Sequence, residues 1–383
     1  VTDQYAEVRH LAAQVARDVY EPIAESLDVT RTPITKEQRR QLGDLGFLGI
    51  THPEEYGGSG APLEQALVVV EEFAKVCRPA AFQIFEANTG PAQVITHLAS
   101  DEQKKRWLPD IVSGAKTMAV AISEPDAGSA ATDMRTTAKE VDGKLVINGS
   151  KRWISNGGEA DQYLVYCRLN DESGSKAIGA VVVEADAPGF SFGASERLMG
   201  FRGIPSADLY FDNVEVPLDD VVVPAGSFGK LFGIFSIERL GNTTMSVAIG
   251  QAALDKSLKY VQEREQFGKQ LVEFQSIQIM LADMILQVEA ARLLRDRAAA
   301  SAEATGIPDP LQVSLAKCTA NEMAKRVTDL AMQIHGGNGY TEEYGLERLH
   351  RDAHGWAIAG GTPTMQRVRI VSEVLGRKFD QRR

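Results

Sequence analysis

The sequence predicts an α+β protein in three parts: a helical domain over residues 1–118, a middle β-barrel-like domain over 119–225 and a four-helix bundle over 226–383. Three observations predict it. Apolar residues recur every three or four positions as far as Lys116, the period drops to two between Ala119 and Val223, and helical spacing returns from about Phe228. At 383 residues the chain is too long for one core, so two or three domains are expected.

In the first part, YAEVRHLAAQVARDVYEPIAESL keeps its helical spacing until Pro22, and TKEQRRQLGDLGFLGI opens on a Thr cap and closes on glycine. The turn-rich HPEEYGGSGAP follows, then LEQALVVVEEFAKVC, then an apolar stretch from Asn88 through WLPDIVSG. In the last part, helices are expected over IERLGNTTMSVAIGQAALDKSLKYVQERE, FQSIQIMLADMILQVEAARLLRDRAAASA, PLQVSLAKCTANEMAKRVTDLAMQIHG and TPTMQRVRIVSEVLGRKF. Asp309-Pro310 marks a helix start and Gly336-Gly337 a stop, and four long amphipathic helices suggest a bundle.

The middle part holds the stretch around which the chain is organised, Ala119 to Gly158. A strand run through Ile122 to Ser123 breaks at Glu124-Pro125, because proline cannot serve an inner ladder. Gly128 and Ser129 then supply small side chains and backbone N–H groups of the kind that take phosphate oxygens. Asn148-Gly149 reads as a hairpin turn, and the strand after it carries Trp153, Ile154 and Ser155, with Trp153 and Ser155 on one face. An aromatic wall beside a hydroxyl donor suits a planar heterocycle such as isoalloxazine. Taken singly, a strand Trp is more often core and such a turn more often an ordinary loop.

Composition is globular, 44% hydrophobic and 24% charged. A formal net charge of -11 leaves no basic stripe to neutralise phosphates, which argues against a nucleic-acid partner. Cys77, Cys167 and Cys318 are scattered and odd in number, predicting a reducing compartment, no disulfide frame and no metal. No apolar run reaches transmembrane length. A cytoplasmic protein, or a processed mitochondrial matrix one, is expected.

ISEPDAGS, WISNGG, EREQFGK, QIHGGNGY and RDAH with a later GGT occur in the order and spacing of the acyl-CoA dehydrogenases, and the chain resembles that family nearly end to end. The resemblance implies FAD as cofactor, an acyl-CoA substrate, an electron-transfer flavoprotein as acceptor and a homotetramer. In that chemistry a carboxylate takes the α proton of an acyl thioester while hydride leaves Cβ for the flavin. Most relatives carry the base as a Glu directly before Gly-Thr; here Gly360 stands there, followed by Gly361 and Thr362. Glu238, in SIERLGNT, matches the position where isovaleryl-CoA and long-chain acyl-CoA dehydrogenases carry theirs, and is the expected base. From composition alone, an acid at a helix start is more often a dipole cap. Glu86, in FQIFEANTG, is the reserve candidate.

By the same resemblance, Ile122, Ser123, Gly128, Ser129, Trp153, Ile154 and Ser155 touch the flavin, with Ser129 also near CoA. Arg264, Phe267 and Gln275 reach the FAD of a neighbouring subunit; Gln333, Ile334, Gly336 and Gly337 track its diphosphate; Thr362 and Thr364 close on it. Arg239, Gly360 and Gly361 fall on the substrate side, where the Gly360 N–H would polarise the thioester oxygen. Ala130 replaces the usual Asp, and Ala359 the usual aromatic beside the base position. The two small residues Ala359 and Gly360 imply room for a branched, cyclic or otherwise bulky acyl group. The competing expectation is a 3-sulfinopropionyl-CoA desulfinase, a C–S-cleaving relative that also lacks the usual glutamate.

Overall fold

The structure, a computed structural model, describes residues 4–379, so the outermost ends of the two helical parts lie outside the described residues. The chain opens with α1 (Ala6–Val15), which passes through a π turn at Ala16–Tyr20 into α2 (Glu21–Thr30). Pro22 does not end the helical run as expected. It occupies the second position of α2, directly after the π turn that joins α2 to α1. α3 (Lys36–Asp44) starts on Thr35, whose Oγ1 accepts from the Gln38 N–H while Gln38 returns a bond to the Thr35 N–H. α4 (Leu63–Val76), α5 (Arg78–Thr89), α6 (Pro91–Leu98) and α7 (Asp101–Val112) complete the helical layer. α5 was not predicted: eleven of its residues are buried, so no polar face gives it a period.

The middle sheet contains β1 (Met118–Ala121), β2 (Thr137–Val141), β3 (Lys144–Ser155), β4 (Gln162–Arg168), β5 (Ile178–Glu184), β6 (Phe190–Phe192), β7 (Ser206–Pro217) and β8 (Val221–Val223). They run in the order β6-β7-β3-β2-β4-β5-β8, with β1 parallel to β4. One residue pair, Thr137 with Arg168, joins β2 to β4, and the two halves of the sheet enclose a common core of Leu145, Ile147, Tyr163, Val165, Val181 and Leu209. The alternate residues of β4, Leu164 and Tyr166, face the helices instead.

The expected hairpin at Asn148-Gly149 is not there. The turn is Asp142-Gly143, both with positive φ, as a tight I′ hairpin demands. Asn148 and Gly149 lie inside β3 at a register shift, where the Gly149 Cα faces Thr136 so closely that a Cβ would sit 2.6 Å from its hydroxyl.

α8 (Phe228–Glu263) returns the chain to helix, followed by the small hairpin β9 (Glu265–Gln266) and β10 (Lys269–Gln270). α9 (Gln275–Ala300) and α10 (Pro310–His335) pack on α8, and α11 (Leu346–Ile358) and α12 (Pro363–Val374) close the chain. Asp309 caps α10 by accepting from the Gln312 N–H, as its Asp-Pro signal predicts. α11, absent from the sequence reading, sends Asp352 across to the first domain, where it accepts from Arg78 at 3.0 Å.

Candidate active site

The loop after β1 is fixed from below by a buried ion pair. Glu124 accepts from the Arg135 N–H, the Thr136 N–H and Lys151 Nζ at 2.6, 3.0 and 2.8 Å. Lys151, fully buried on β3, also donates to the Ile122 carbonyl at 3.0 Å. Burial alone would push the Glu124 carboxyl up, but Lys151 and the backbone donors outweigh it and hold the group below its ordinary value. The sequence reading missed this pair; a lysine between Gly149 and Ile154 on an inward strand position was its only signal. The Ser123 carbonyl then accepts from the Arg152 N–H at 2.8 Å, which sets Ser123 beside Trp153.

Trp153 sits at a bulge between Lys151 and Ile154 with φ 62, and 52% of it is exposed. A bulky residue in the left-handed region is strained, and such strain persists only where the surroundings impose it. Ile154 is buried in the barrel core while Trp153 and Ser155 stay outside it. The Arg152 guanidinium lies 4.4 Å from the Trp153 ring centre. Gly128 and Ser129 are exposed, with no atom within 4 Å of where a Gly128 Cβ would be.

The second group of predicted cofactor residues gathers at one end of the bundle. Arg264 follows α8; Phe267 and Gly268, both with positive φ, turn the β9–β10 hairpin and leave the Phe267 ring 94% exposed; Gln275 begins α9. Tyr260 stacks on His335 at 4.1 Å and accepts from Asn338 Nδ2 at 3.0 Å, bringing the hairpin's base to the Gly336-Gly337 turn. Gln333 is exposed there, whereas Ile334 points into the core and offers only backbone. Among the described residues no hydrogen bond joins this group to Ser123, Trp153 or Ser155. Thr362 already caps α12, accepting from the Met365 N–H at 3.3 Å, and Thr364 is exposed.

Glu238 lies ten residues inside α8, too far from its start to cap the helix. It lines a cleft with about 200 Å³ of empty space, partly open to solvent, together with Thr89, Gly90, Val120, Tyr166 and Phe235. Among the described residues no hydrogen bond or ion pair holds its carboxylate. Desolvation raises its pKa to about 8 against the opposing charges of Arg239 and Lys317. Glu86, buried near the end of α5, is also pushed up by desolvation and by Glu238, against a hydrogen bond that its Oε2 accepts from Asn156. The two carboxyls therefore sense one another, although only Glu86 is tied down.

Arg239 donates from Nε to the Gly360 carbonyl at 3.0 Å, and its guanidinium rests over Phe232 and Phe235 at 4.4 and 4.9 Å. Asn242 donates to the Trp356 and Ala359 carbonyls, and Asn321 donates to Asn242 and Ser246. Lys317 is fully buried and donates to Asn321 at 2.8 Å. Burial, helped by Arg239 and opposed by Glu238, brings its pKa down to about 7. A Cβ on Gly360 would lie 3.4 Å from Lys317 Cε, 3.8 Å from Asn242 Nδ2 and 4.0 Å from Arg239 Cγ. A side chain at 360 would thus enter the charged cluster that already flanks Glu238. The Gly360 N–H makes no hydrogen bond within the described residues. Asn242, Lys317 and Asn321 were not singled out from sequence; polar residues four apart on otherwise apolar helices, Asn242 with Ser246 and Lys317 with Asn321, were the available signal.

Three family models cover nearly all of this chain: the acyl-CoA dehydrogenase N-terminal domain matches residues 2–115, the middle domain 119–214 and the C-terminal domain 231–375. The chain belongs to the acyl-CoA dehydrogenase family. It is 36% identical over 390 residues to a 3-sulfinopropanoyl-CoA desulfinase of Cupriavidus necator, spanning 100% of this chain and 98% of that one. It is 38% identical over 375 residues to a probable acyl-CoA dehydrogenase of Mycobacterium leprae, spanning 97% and 95%. Among solved structures, butyryl-CoA dehydrogenase from Megasphaera elsdenii superposes with a TM-score of 0.93 at 33% identity, covering 98% and 99% of the two chains. A glutaryl-CoA dehydrogenase from Mycobacterium smegmatis in complex with FADH2 does so at 0.93 and 25%, covering 99% and 97%.

The cofactor of this acyl-CoA dehydrogenase family enzyme is FAD. The residues present fit it: a strained, outward-facing Trp153 beside Ser155 leaves an aromatic face that no core contact explains, next to a loop locked by Glu124. Among the described residues no cluster of His, Cys, Asp and Glu could hold a metal, and no helix is long and apolar enough to cross a membrane.

Proposed function

We propose that this enzyme dehydrogenates an acyl-CoA between Cα and Cβ, with Glu238 as the base. The observation that carries the reading is the Glu238 carboxylate in the cleft, unbonded among the described residues and flanked by Arg239 and Lys317, the side chains that also border the space a side chain at Gly360 would enter. FAD, when bound, would supply the acceptor for the hydride that leaves Cβ. The chain supplies the rest: Glu238 takes the α proton, so substrate loses one proton and one hydride and becomes the α,β-enoyl thioester. The Gly360 N–H, whose carbonyl is anchored by Arg239, is free to donate to the thioester oxygen as charge develops there. Arg239 and Lys317 favour the ionised form of Glu238, and the pKa near 8 keeps that carboxylate basic enough for a carbon acid.

In this reading Ile122, Ser123, Gly128, Ser129, Trp153, Ile154 and Ser155 hold the flavin of their own subunit, Ile154 through its backbone. Arg264, Phe267, Gln275, Gln333, Ile334, Gly336 and Gly337 belong to the FAD of a neighbour in a homotetramer, which accounts for the exposed Phe267 ring. Thr362 and Thr364 close on the same cofactor, while Ser129, Arg239, Gly360 and Gly361 face the acyl-CoA. Ala359 and Gly360 leave room for branching or bulk beside the reacting carbons, and electrons pass on to an electron-transfer flavoprotein.

A second reading is favoured by the relatives: with glycine at 360 and 36% identity along the whole chain to a 3-sulfinopropanoyl-CoA desulfinase, C–S cleavage without net oxidation is the alternative. One assay separates the two. With a panel of acyl-CoAs and an artificial acceptor, dehydrogenation gives acceptor reduction; 3-sulfinopropionyl-CoA consumed with sulfite release and no acceptor reduction would overturn the first reading.

A further inference from the structure

Tyr166 lies on the face of β4 that packs against the helices, among Leu164, Ile178, Ala180 and Val182, where a plain hydrocarbon side chain would serve. It is 3% exposed and lines the same cleft as Glu238, yet its hydroxyl is buried without a hydrogen-bond partner. A buried, unsatisfied polar group is costly and rare in native proteins. Arg239 shows the same feature: its Nη1 is buried and unpartnered, and among the described residues no carboxylate forms an ion pair with it and its hydrogen bond runs from Nε to the Gly360 carbonyl. The Arg239 guanidinium lies 4.9 Å from the ring of Phe235, which lines the cleft together with Tyr166, and Arg239 and Tyr166 each influence the other's ionisation. The other charged groups that face them are Glu238, Lys317 and Arg369, the last of which shares the Phe232 ring with Arg239, and burial biases the Glu238 carboxyl toward the neutral form. A buried guanidinium in such surroundings lacks its counter-charge.

We propose that Tyr166 and Arg239 form a subsite in the acyl pocket that reads an anionic, oxygen-bearing substituent on a short acyl group. Carboxylate and sulfinate share that chemistry: each accepts from a phenol O–H and from a guanidinium N–H at once. The donors stay unpaired until such a substrate arrives, and a hydrocarbon acyl group of equal size leaves them so. The inference rests on the reading of this cleft as the acyl pocket, and it names the substituent that the pocket selects.

The test uses the FAD-loaded protein carrying Glu238→Gln, which binds thioesters without turning them over. Calorimetry compares succinyl-CoA, 3-sulfinopropionyl-CoA and butyryl-CoA, each with and without Tyr166→Phe. Both anionic thioesters are expected to bind more tightly than butyryl-CoA, and Tyr166→Phe to cut that preference about 10- to 100-fold, the worth of a hydrogen bond to a charged acceptor. A preference for only one of the two identifies the anion. Butyryl-CoA binding as tightly as both anions, or Tyr166→Phe weakening all three equally, overturns the proposal. The comparison before Tyr166 is changed decides the matter even if the Phe variant does not fold. Flavin reduction that survives Glu238→Gln would sink the base assignment alone, since the binding preference is read independently of chemistry.

Discussion

Replacing Glu238 by Gln should abolish substrate-driven flavin reduction and, at the same time, make the folded protein more stable at alkaline pH. The structure supplies both magnitudes. Desolvation lifts the Glu238 pKa from 4.5 to about 8. One pKa unit corresponds to about 1.4 kcal/mol, so ionising this group in the folded protein costs at most about 5 kcal/mol more than in the unfolded chain. The folded-state pKa lies above the unfolded one, so the folded protein holds the proton more tightly. Stability therefore falls as pH rises from about 4.5 to about 8, and the full cost is present above that range. A neutral amide carries no such cost. The melting temperature of Glu238→Gln should match the parent near pH 4.5 and exceed it by several degrees at pH 9. Rapid mixing with acyl-CoA should show flavin reduction slowed by at least about 100-fold, the lower bound for losing a general base. In the parent, kcat/KM should rise with pH to a plateau above about 8, as the base loses its proton. An amide variant that reduces flavin at the parental rate refutes the assignment. One that loses stability at pH 9 refutes the desolvation argument, because a merely structural carboxylate would be missed most where it is charged.

Further outcomes follow from the same cluster. Lys317→Met removes a charge that lowers the Glu238 pKa, so the inflection in kcat/KM should move to higher pH; an unmoved profile would separate Lys317 from the base. Gly360→Glu placed on Glu238→Gln should recover part of the lost flavin reduction, since a Cβ at 360 clears its neighbours by 3.4 Å or more, with φ 68 costing about 1–2 kcal/mol of stability. No recovery in a flavin-loaded double variant would show that the two positions do not reach a common carbon. Lys151→Met strands the buried Glu124 carboxylate and should cost about 3–5 kcal/mol and lower the bound-flavin content measured by absorbance. Undiminished flavin content would mean that the Ile122–Ser123 loop needs no such anchor.

Fold class was legible because hydrophobic period is a one-dimensional signal, and it changes where β1 begins and again where α8 begins. The same signal fails wherever burial is complete on every side. α5 lacks a polar face and so was invisible, although it carries Glu86. Turn chemistry misled once: Asn148-Gly149 has the preferred residues, but Asp142-Gly143 meets the same backbone demand and closes the hairpin. Trp153 and Ser155 were expected on one face of the strand, and both lie outside the barrel core, but the bulge and positive φ that turn Trp153 outward leave no mark in the residue pattern. Glu238 needed the family resemblance, because an isolated acid near a helix start reads as a cap. Tyr166, Lys317 and Asn321 stayed hidden for a different reason: their significance lies in partners found or missing across the fold.

The cluster around Gly360 explains how an acid can be exchanged between the bundle's first helix and the segment before α12. Both positions are held to one another by backbone, since Arg239, the neighbour of Glu238, grips the Gly360 carbonyl, and Asn242, one turn along α8, grips the Ala359 carbonyl. The polar neighbourhood thus belongs to the scaffold and not to either acid. Lys317 and Arg239 flank Glu238 and border the space at Gly360, so they offer positive charge to a carboxylate from either position. With the acid on α8, position 360 is released to a left-handed glycine, which keeps its N–H donor while vacating the side-chain volume. On the proposed reading the labour is divided: Glu238, the base, comes from a helix whose register is fixed by packing, and the oxyanion donor from a loop fixed by Arg239. Loosening that grip with Arg239→Met should therefore depress kcat through the misdirected Gly360 N–H even where the Glu238 proton affinity, read from the pH profile, rises only as expected from the lost charge.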